Sequence, residues 1–167
     1  MSNWIKHSVD LRFNSAGFTG SDLDELLPDF VTERDTNVGL TWYPSASGPE
    51  SFTLAVIAAV AVSAFVGEFG KKLSEDLYAW SKSRLSKVLS RKRYPDCAIV
   101  IKLDDIELLF HDEQLFDDPD AANLIADFFN AVPKLLLSIN STKGRFWIAS
   151  HDRSSGSWTV SVDEDRQ

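Results

Sequence analysis

Alternating apolar and polar residues predict several β-strands in this chain. From Ile5 to Phe13 every second residue is apolar or histidine, a period of two that is typical of a strand with one buried face. Cys97 to Leu103 is apolar except for Lys102, which indicates a strand covered on both faces. Further strands are predicted at Val38 to Tyr43, Ile106 to Phe110, Arg145 to His151 and Trp158 to Val162.

Apolar residues at spacings of three and four predict three amphipathic helices. The first begins near Ser21, whose hydroxyl suits an N-cap, and has an apolar stripe from Leu23 to Phe30. The second runs from about Leu73 to Leu89. The third follows Asp118-Pro119, an N-cap with proline at the first helical position, and Pro133 is expected to kink or end it.

The segment from Phe52 to Gly67 carries no charge and is dominated by alanine and valine. Because small residues let a helix pack closely on a sheet, we interpret it as a buried helix between the sheet and the basic amphipathic helix. Gly67 and Gly70 allow a bend after it. The predicted fold class is α+β, a single domain over residues 1–167. A mixed sheet packs against a central apolar helix and amphipathic helices, in the order β-α-β-α-α-β-β-α-β-β.

The same segment has an alternative interpretation as a membrane-inserting element. Trp42 and Tyr43 precede it, Tyr78 and Trp80 follow it, and basic residues lie on one side only, from Lys71 onward. Its length falls short of the ~20 apolar residues that a helix needs to cross a bilayer. The core helix is therefore favoured, and conditional insertion is the alternative.

Composition narrows the classes of function. The 167 residues carry a formal net charge of −8, which disfavours nonspecific binding of nucleic acid. Cys97 is the single cysteine, so neither an internal disulfide nor a multi-cysteine metal site is expected. The first residues lack the apolar core of a secretory signal, and we expect a cytoplasmic location.

Charge is segregated along the chain. Residues 71–93 hold eight Lys or Arg against two acids, whereas residues 104–127 hold nine acids and no Lys or Arg. These blocks are either solvated faces or surfaces that meet, within one fold or between two copies. Contact with phosphates or an anionic membrane is a further use of the basic block, and a favourable helix C-terminus is its structural explanation. The candidate interaction surface consists of Lys82, Lys87, Arg91, Lys92 and Arg93.

No combination of residues predicts catalysis, a metal or a cofactor. The three histidines, His7, His111 and His151, are spread along the chain. His111-Asp112-Glu113 is a weak metal motif because adjacent residues rarely converge on one ion. No Gly-x-Ser-x-Gly elbow, Walker-type phosphate loop or Gly-x-Gly-x-x-Gly motif occurs. An enzyme would require the histidines to converge with an acid in one cleft.

The order of elements over about residues 5–130 carries a resemblance to a known family. The matching features are Val9 to Phe13, the acidic helix Asp22 to Leu27, Val38 to Trp42, the Ala/Val-rich helix, Leu77-Tyr78-Ala79-Trp80 before a basic helix end, and the strand pair Ala98 to Phe110. In this order they resemble the effector-associated constant components of bacterial conflict systems. The resemblance implies a non-enzymatic part that recruits or holds an effector, often a protease. The C-terminal hairpin, Arg145 to Val162, is additional to it.

We therefore expect a non-catalytic protein-interaction or adaptor component of a bacterial defence or signalling system. It would self-associate or bind a protein partner, and nucleic acid is not an expected partner. The alternative is a membrane-active effector that inserts residues 52–67.

Overall fold

The structure is a computed structural model that describes residues 7–14, 20–26, 38–44, 51–58, 68–91, 97–103, 106–111, 120–140 and 142–166. Within these residues the helices are α1 (Gly20–Leu26), α2 (Glu68–Trp80), a π-helical segment (Ser81–Leu85), α3 (Ser86–Leu89), α4 (Ala121–Ser138) and a 3-10 helix (Glu164–Arg166). The strands are β1 (His7–Asn14), β2 (Val38–Pro44), β3 (Ser51–Ala58), β4 (Cys97–Lys102), β5 (Glu107–Phe110), β6 (Phe146–Asp152) and β7 (Ser157–Val162). The predicted α+β class is confirmed.

The seven strands form one sheet in the order β2-β3-β1-β4-β5-β6-β7. Its pairings are antiparallel except that of β5 with β6, which run parallel. Parallel neighbours need a crossover connection, and α4 lies in the chain between β5 and β6. β2 and β7 are the two edges of the described sheet.

The helices α1 to α4, together with the π-helical segment, pack on one face of the sheet, called here the helical face. Register places Val9, Ile101, Leu108 and Trp147 side by side in successive strands, and all four are buried in one hydrophobic cluster. The helices contribute to the same cluster Leu26, Leu77, Trp80, Leu85, Ile125 and Phe128. The burial of these apolar side chains is the main contribution to the free energy that holds the helices on the sheet. The opposite side of the sheet is called the second face.

Aromatic contacts fix α4 over the last strands. Phe110 of β5 stacks on Phe128 of α4 with ring centroids 4.8 Å apart, and it meets Trp158 of β7 edge-on at 5.0 Å. Phe128 also contacts Trp158, at 5.5 Å. These offset and edge-to-face arrangements are the favourable geometries for aromatic pairs. They make β7 part of the core although it is the outermost strand.

The predicted central helix from Phe52 to Gly67 is wrong over its first half. Ser51–Ala58 is the strand β3, hydrogen-bonded to β2 on one side and β1 on the other. An uncharged run has no polar side to reveal its period, so the pattern of apolar residues does not separate a buried strand from a buried helix. Phe52, Thr53, Val56 and Ile57 favour strand, and this propensity decides the outcome. Residues 59–67 of the predicted helix lie outside the described residues.

The order of the described elements is therefore β-α-β-β-α-β-β-α-β-β. Here the helical residues from Glu68 to Leu89 are counted as one helical unit. No helix among the described residues is long and apolar enough to span a membrane. The Ala/Val-rich helix that carries part of the family resemblance is a strand over Ser51–Ala58.

Two helices differ in detail from the prediction. The helix predicted from Leu73 to Leu89 is confirmed, but it begins at Glu68 and contains a π-helical turn at Ser81–Leu85. α4 continues through Pro133 to Ser138, so Pro133 does not end it. The helix holds beyond the proline because Val132, Leu135 and Leu136 around it are buried in the core.

Candidate functional site

Arg91, a member of the predicted basic surface, is bound to two acids of α1. Its guanidinium donates to both carboxylate oxygens of Glu25, at 3.1 and 2.8 Å, and to Asp22 at 3.2 Å. The Arg91 side chain is 44% exposed, whereas that of Asp22 is 8% exposed. The hydrogen bond with Glu25 raises the pKa of Arg91 above its ordinary value. Arg91 follows the helical unit Glu68–Leu89 and connects the C-terminal end of this unit to α1.

Two more side chains of this helical unit bind the C-terminal carbonyls of α1. The Trp80 indole N–H donates to the oxygen of Leu26 at 2.8 Å in a buried bond, and Arg84 donates to the oxygen of Glu25 at 3.3 Å. The last carbonyls of a helix lack partners within the helix, so they accept such bonds readily. The π-helical turn follows Trp80 and contains Arg84, and its Ser81 hydroxyl donates to the oxygen of Leu77 at 2.8 Å.

The rest of the predicted interaction surface is partly engaged inside the fold. Lys82 donates to the side-chain oxygen of Asn123 in α4 at 2.8 Å, and its ammonium lies 5.5 Å from the centre of the Tyr78 ring. Lys87 is exposed on α3. Lys92 and Arg93 lie outside the described residues. The basic block thus has a structural use at Lys82 and Arg91, and its interaction role stays a prediction.

The acids that bind Arg91 belong to α1 and not to the acidic block of residues 104–127. Within the described part of that acidic block, Glu107 belongs to a line of alternating charges on the second face. Lys102 pairs with Asp10 at 3.3 Å and lies opposite Glu107 in the register of β4 and β5. Glu107 in turn accepts from Arg166 at 3.4 Å. The Asp10 side chain is only 3% exposed, so its ion pair with Lys102 compensates a buried charge.

The three histidines do not share one cleft. His7 starts β1, and the register of β1, β4 and β5 places it at the end of the sheet opposite to His111. His151 lies in β6 beside Trp158, with ring centroids 4.6 Å apart, whereas His111 is exposed after β5. Among the described residues no three His, Cys, Asp or Glu side chains are placed to hold one metal ion. Asp112 and Glu113 of the weak metal motif lie outside those residues, as do Asp117 and Asp118.

The outer edge of β7 is an uncharged pairing surface in the described part of the chain. Its six residues, Ser157–Val162, include no charge, no proline and no glycine. The side chains alternate, with Ser157, Thr159 and Ser161 exposed and the remaining three half-buried against the core. Edge strands usually carry a lysine, a proline or a bulge that prevents pairing with another chain. β7 contains neither lysine nor proline.

Backbone groups along this edge can be assigned from one hydrogen bond. The N–H of Asp163 donates to the oxygen of Phe146 in β6 at 2.8 Å. Successive residues of a strand point their N–H and C=O groups to opposite edges. Thr159 and Ser161 therefore bond to β6, while Trp158, Val160 and Val162 direct their backbone groups to the outer edge.

Sequence reasoning found the strand β7 but missed that it is an edge. The alternation of Ser-Trp-Thr-Val-Ser-Val was sufficient to predict the strand. Its place at the border depends on pairings between distant residues. The one sequence signal available was the lack of charge between Arg153 and Asp163 on a strand with three hydroxyl side chains.

Comparison with known proteins places the chain in no family. No protein-family model, no curated protein and no solved structure matches it.

Proposed function

We propose that this chain is a non-catalytic protein-interaction component that binds an extended segment of a protein at the outer edge of β7. The observation that carries the proposal is a six-residue strand without charge or proline at the edge of the described sheet. The backbone groups that point to its outer edge belong to Trp158, Val160 and Val162, and they have no partner strand among the described residues. Such an edge is a template for a further strand, and main-chain hydrogen bonds supply the affinity.

The position of β7 favours a rigid docking edge. Trp158 is packed against Phe110 and Phe128, so the strand is held in the core and little ordering is needed when a partner strand is added. The exposed hydroxyls of Thr159 and Ser161 lie on the second face, where cross-strand hydrogen bonds to a partner are available.

The proposed setting is a bacterial defence or signalling system in the cytoplasm. Outside Ser51–Ala58, which is a strand and not the helix that the resemblance requires, the order of elements still resembles effector-associated constant components and supports a part that holds another protein. The single cysteine, which leaves the chain without an internal disulfide, suits a reducing compartment.

Site-specific photo-crosslinking in the host tests this proposal. A photo-crosslinking amino acid at Thr159 is expected to give a defined protein adduct, whereas the same group at Ser150 is expected to give none. Ser150 is the matched control because it is also exposed on the second face and is the register partner of Thr159, but it lies one strand inside the edge. The adduct is expected to disappear when Ser161→Lys is added, since a lysine on the edge blocks strand addition. Equal adducts from both positions, or none from Thr159, would contradict the proposal.

A further inference from the structure

We infer that the strand added to β7 is the β7 of a second copy of this chain, paired antiparallel about a two-fold axis at Val160. This inference rests on the proposed function and names its partner. Antiparallel pairing requires that residues on the same face lie opposite each other. With Val160 on the axis, Val160 faces Val160 of the other copy and Trp158 faces its Val162.

This register uses every outward backbone group of the strand. Trp158, Val160 and Val162 direct their N–H and C=O groups to the outer edge, and each of them would exchange hydrogen bonds with its opposite residue. If the axis lay at Thr159, the backbone N–H and C=O groups of Val162 would lie opposite the turn residue Gly156 of the other copy. The φ of Gly156 is 71°, which is outside strand geometry, so these groups would have no strand partner. The axis at Val160 is therefore the register that the strand favours.

The side chains are self-complementary in the same register. On the helical face Trp158, Val160 and Val162 are half-buried, and the second copy would cover each with another apolar side chain. On the second face Thr159 would lie opposite Ser161 of the other copy, so hydroxyl meets hydroxyl. Neither face would place a charge against an apolar residue.

Two-fold pairing gives a closed dimer and not a polymer, because it uses the same edge of both copies. β2 is the other edge of the described sheet, and pairing of β7 with β2 of the next copy would leave an edge open at each end. A β7–β7 pair consumes the same edge in both copies and stops at a dimer with one continuous sheet.

A pair of charge variants tests the inference directly. Thr159→Lys/Ser161→Lys places lysine opposite lysine across the axis twice, and Thr159→Glu/Ser161→Glu does the same with glutamate. Each variant alone is expected to weaken the dimer by about tenfold or more, because like charges directly opposite destabilise a strand pair. An equimolar mixture is expected to recover the dimer, since each lysine then faces a glutamate. Ser150→Lys and Ser150→Glu are the controls and should leave dimerisation unchanged.

Light scattering after size exclusion gives the readout, with near-ultraviolet circular dichroism to verify that each variant is folded. The wild-type chain is expected at twice the 18.7 kDa chain mass, each charge variant nearer to the chain mass, and the mixture again at twice it. A mixture that stays monomeric, or open polymers of wild type, would overturn the two-fold pairing. A wild-type monomer whose Thr159 crosslinks still reach a different protein would overturn the second copy as partner and leave the proposed function standing. A monomer without such crosslinks would remove both.

Discussion

The indole N–H of Trp80 donates a buried hydrogen bond of 2.8 Å to the main-chain oxygen of Leu26, across 54 positions of sequence. Both residues are almost fully buried in the main hydrophobic cluster. The Trp80 side chain thus donates a hydrogen bond to the last carbonyl of α1, and its ring also packs in the core. The contact fixes α1 on the helical unit that also holds it through Arg84 and Arg91.

Replacement of the Trp80 indole should therefore lower the stability of the fold. We expect Trp80→Phe to lower the free energy of unfolding by about 2–4 kcal/mol, because it leaves the Leu26 carbonyl without that donor and removes packed volume. Trp147→Phe is the matched control, since Trp147 is also buried but its indole bond to the oxygen of Gly144, 3.0 Å, is only part-buried and spans three residues. Urea unfolding measures both variants. Equal losses would mean that the Trp80 hydrogen bond adds nothing beyond packing.

Arg91 provides a test of what the basic block does. Because its side chain is 44% exposed, solvent weakens its ion pairs, and we expect Arg91→Ala to lower the free energy of unfolding by less than Trp80→Phe does. Part of this loss arises because Asp22, 8% exposed, keeps its charge without that cation. Lys87→Ala, an exposed position of the same helical unit, should change stability by less than about 0.5 kcal/mol. A double-mutant cycle with Glu25→Ala measures the coupling, and a coupling near zero would show that the bidentate contact is not stabilising.

The turn between β6 and β7 predicts a pH dependence. The hydroxyls of Ser154 and Ser155 and the main-chain N–H of Ser154 donate to the Asp152 carboxylate and lower its pKa from 3.8 to about 2. Since the folded pKa is the lower one, the unfolded chain binds more protons between these two values. The contribution of Asp152 to stability is therefore complete above about pH 4 and is lost as the pH falls towards 2.

Carbon-detected titration of the Asp152 carboxyl group checks this shift. We expect the pKa to rise towards 3.8 in Ser154→Ala/Ser155→Ala, because two of the donors are then removed. Ser161→Ala is the control, since this exposed serine belongs to β7 and lies away from the turn. A wild-type pKa at the ordinary value would contradict the hydrogen-bonded turn.

The ion pair on the second face should tolerate loss of both charges better than loss of one. Lys102→Met leaves the buried Asp10 carboxylate without its cation, and we expect a loss of about 1–3 kcal/mol, since Lys102 itself is 37% exposed. Asp10→Asn/Lys102→Met is expected to recover part of that loss, because no buried charge then stays uncompensated. Thermal unfolding of the two variants gives the comparison, and a double variant no more stable than the single one would mean that Asp10 is satisfied by other groups.

Local patterns predicted the strands and most helices because each leaves a period of its own in the sequence. The alternation in β1, β2, β5 and β7 and the three-and-four spacing of α4 are of this kind. In Ser51–Ala58 the alternation of polar and apolar residues is confined to the first four residues, Ser-Phe-Thr-Leu, and the β-branched and aromatic residues were the other signal for a strand.

The candidate site could be predicted only in part, since it depends on which strand becomes an edge. Strand order and the partners of Arg91, which lie 66 and 69 positions away, are set by long-range packing that composition does not encode. The basic residues could be named from sequence, but their engagement with α1 and Asn123 could not. Likewise, the sequence showed that β7 is free of charge, whereas its exposure follows from the order of the sheet.

Amide hydrogen exchange along β7 tests the assignment of its edges residue by residue. In the monomeric Thr159→Lys/Ser161→Lys variant, the amides at positions 159 and 161 should exchange slowly because they donate to β6. Those of Trp158, Val160 and Val162 should exchange fast because they point to the outer edge.

In the wild-type protein at a concentration that favours the dimer, all five amides of β7 should exchange slowly, and dilution should restore fast exchange at Trp158, Val160 and Val162 alone. Ile148 and Ser150 of β6, whose amides point to β7 of the same chain, supply controls that concentration should not affect. Fast exchange at Val160 under every condition would mean that nothing pairs with this edge, whereas slow exchange in the variant monomer would mean that the edge is already covered within the chain.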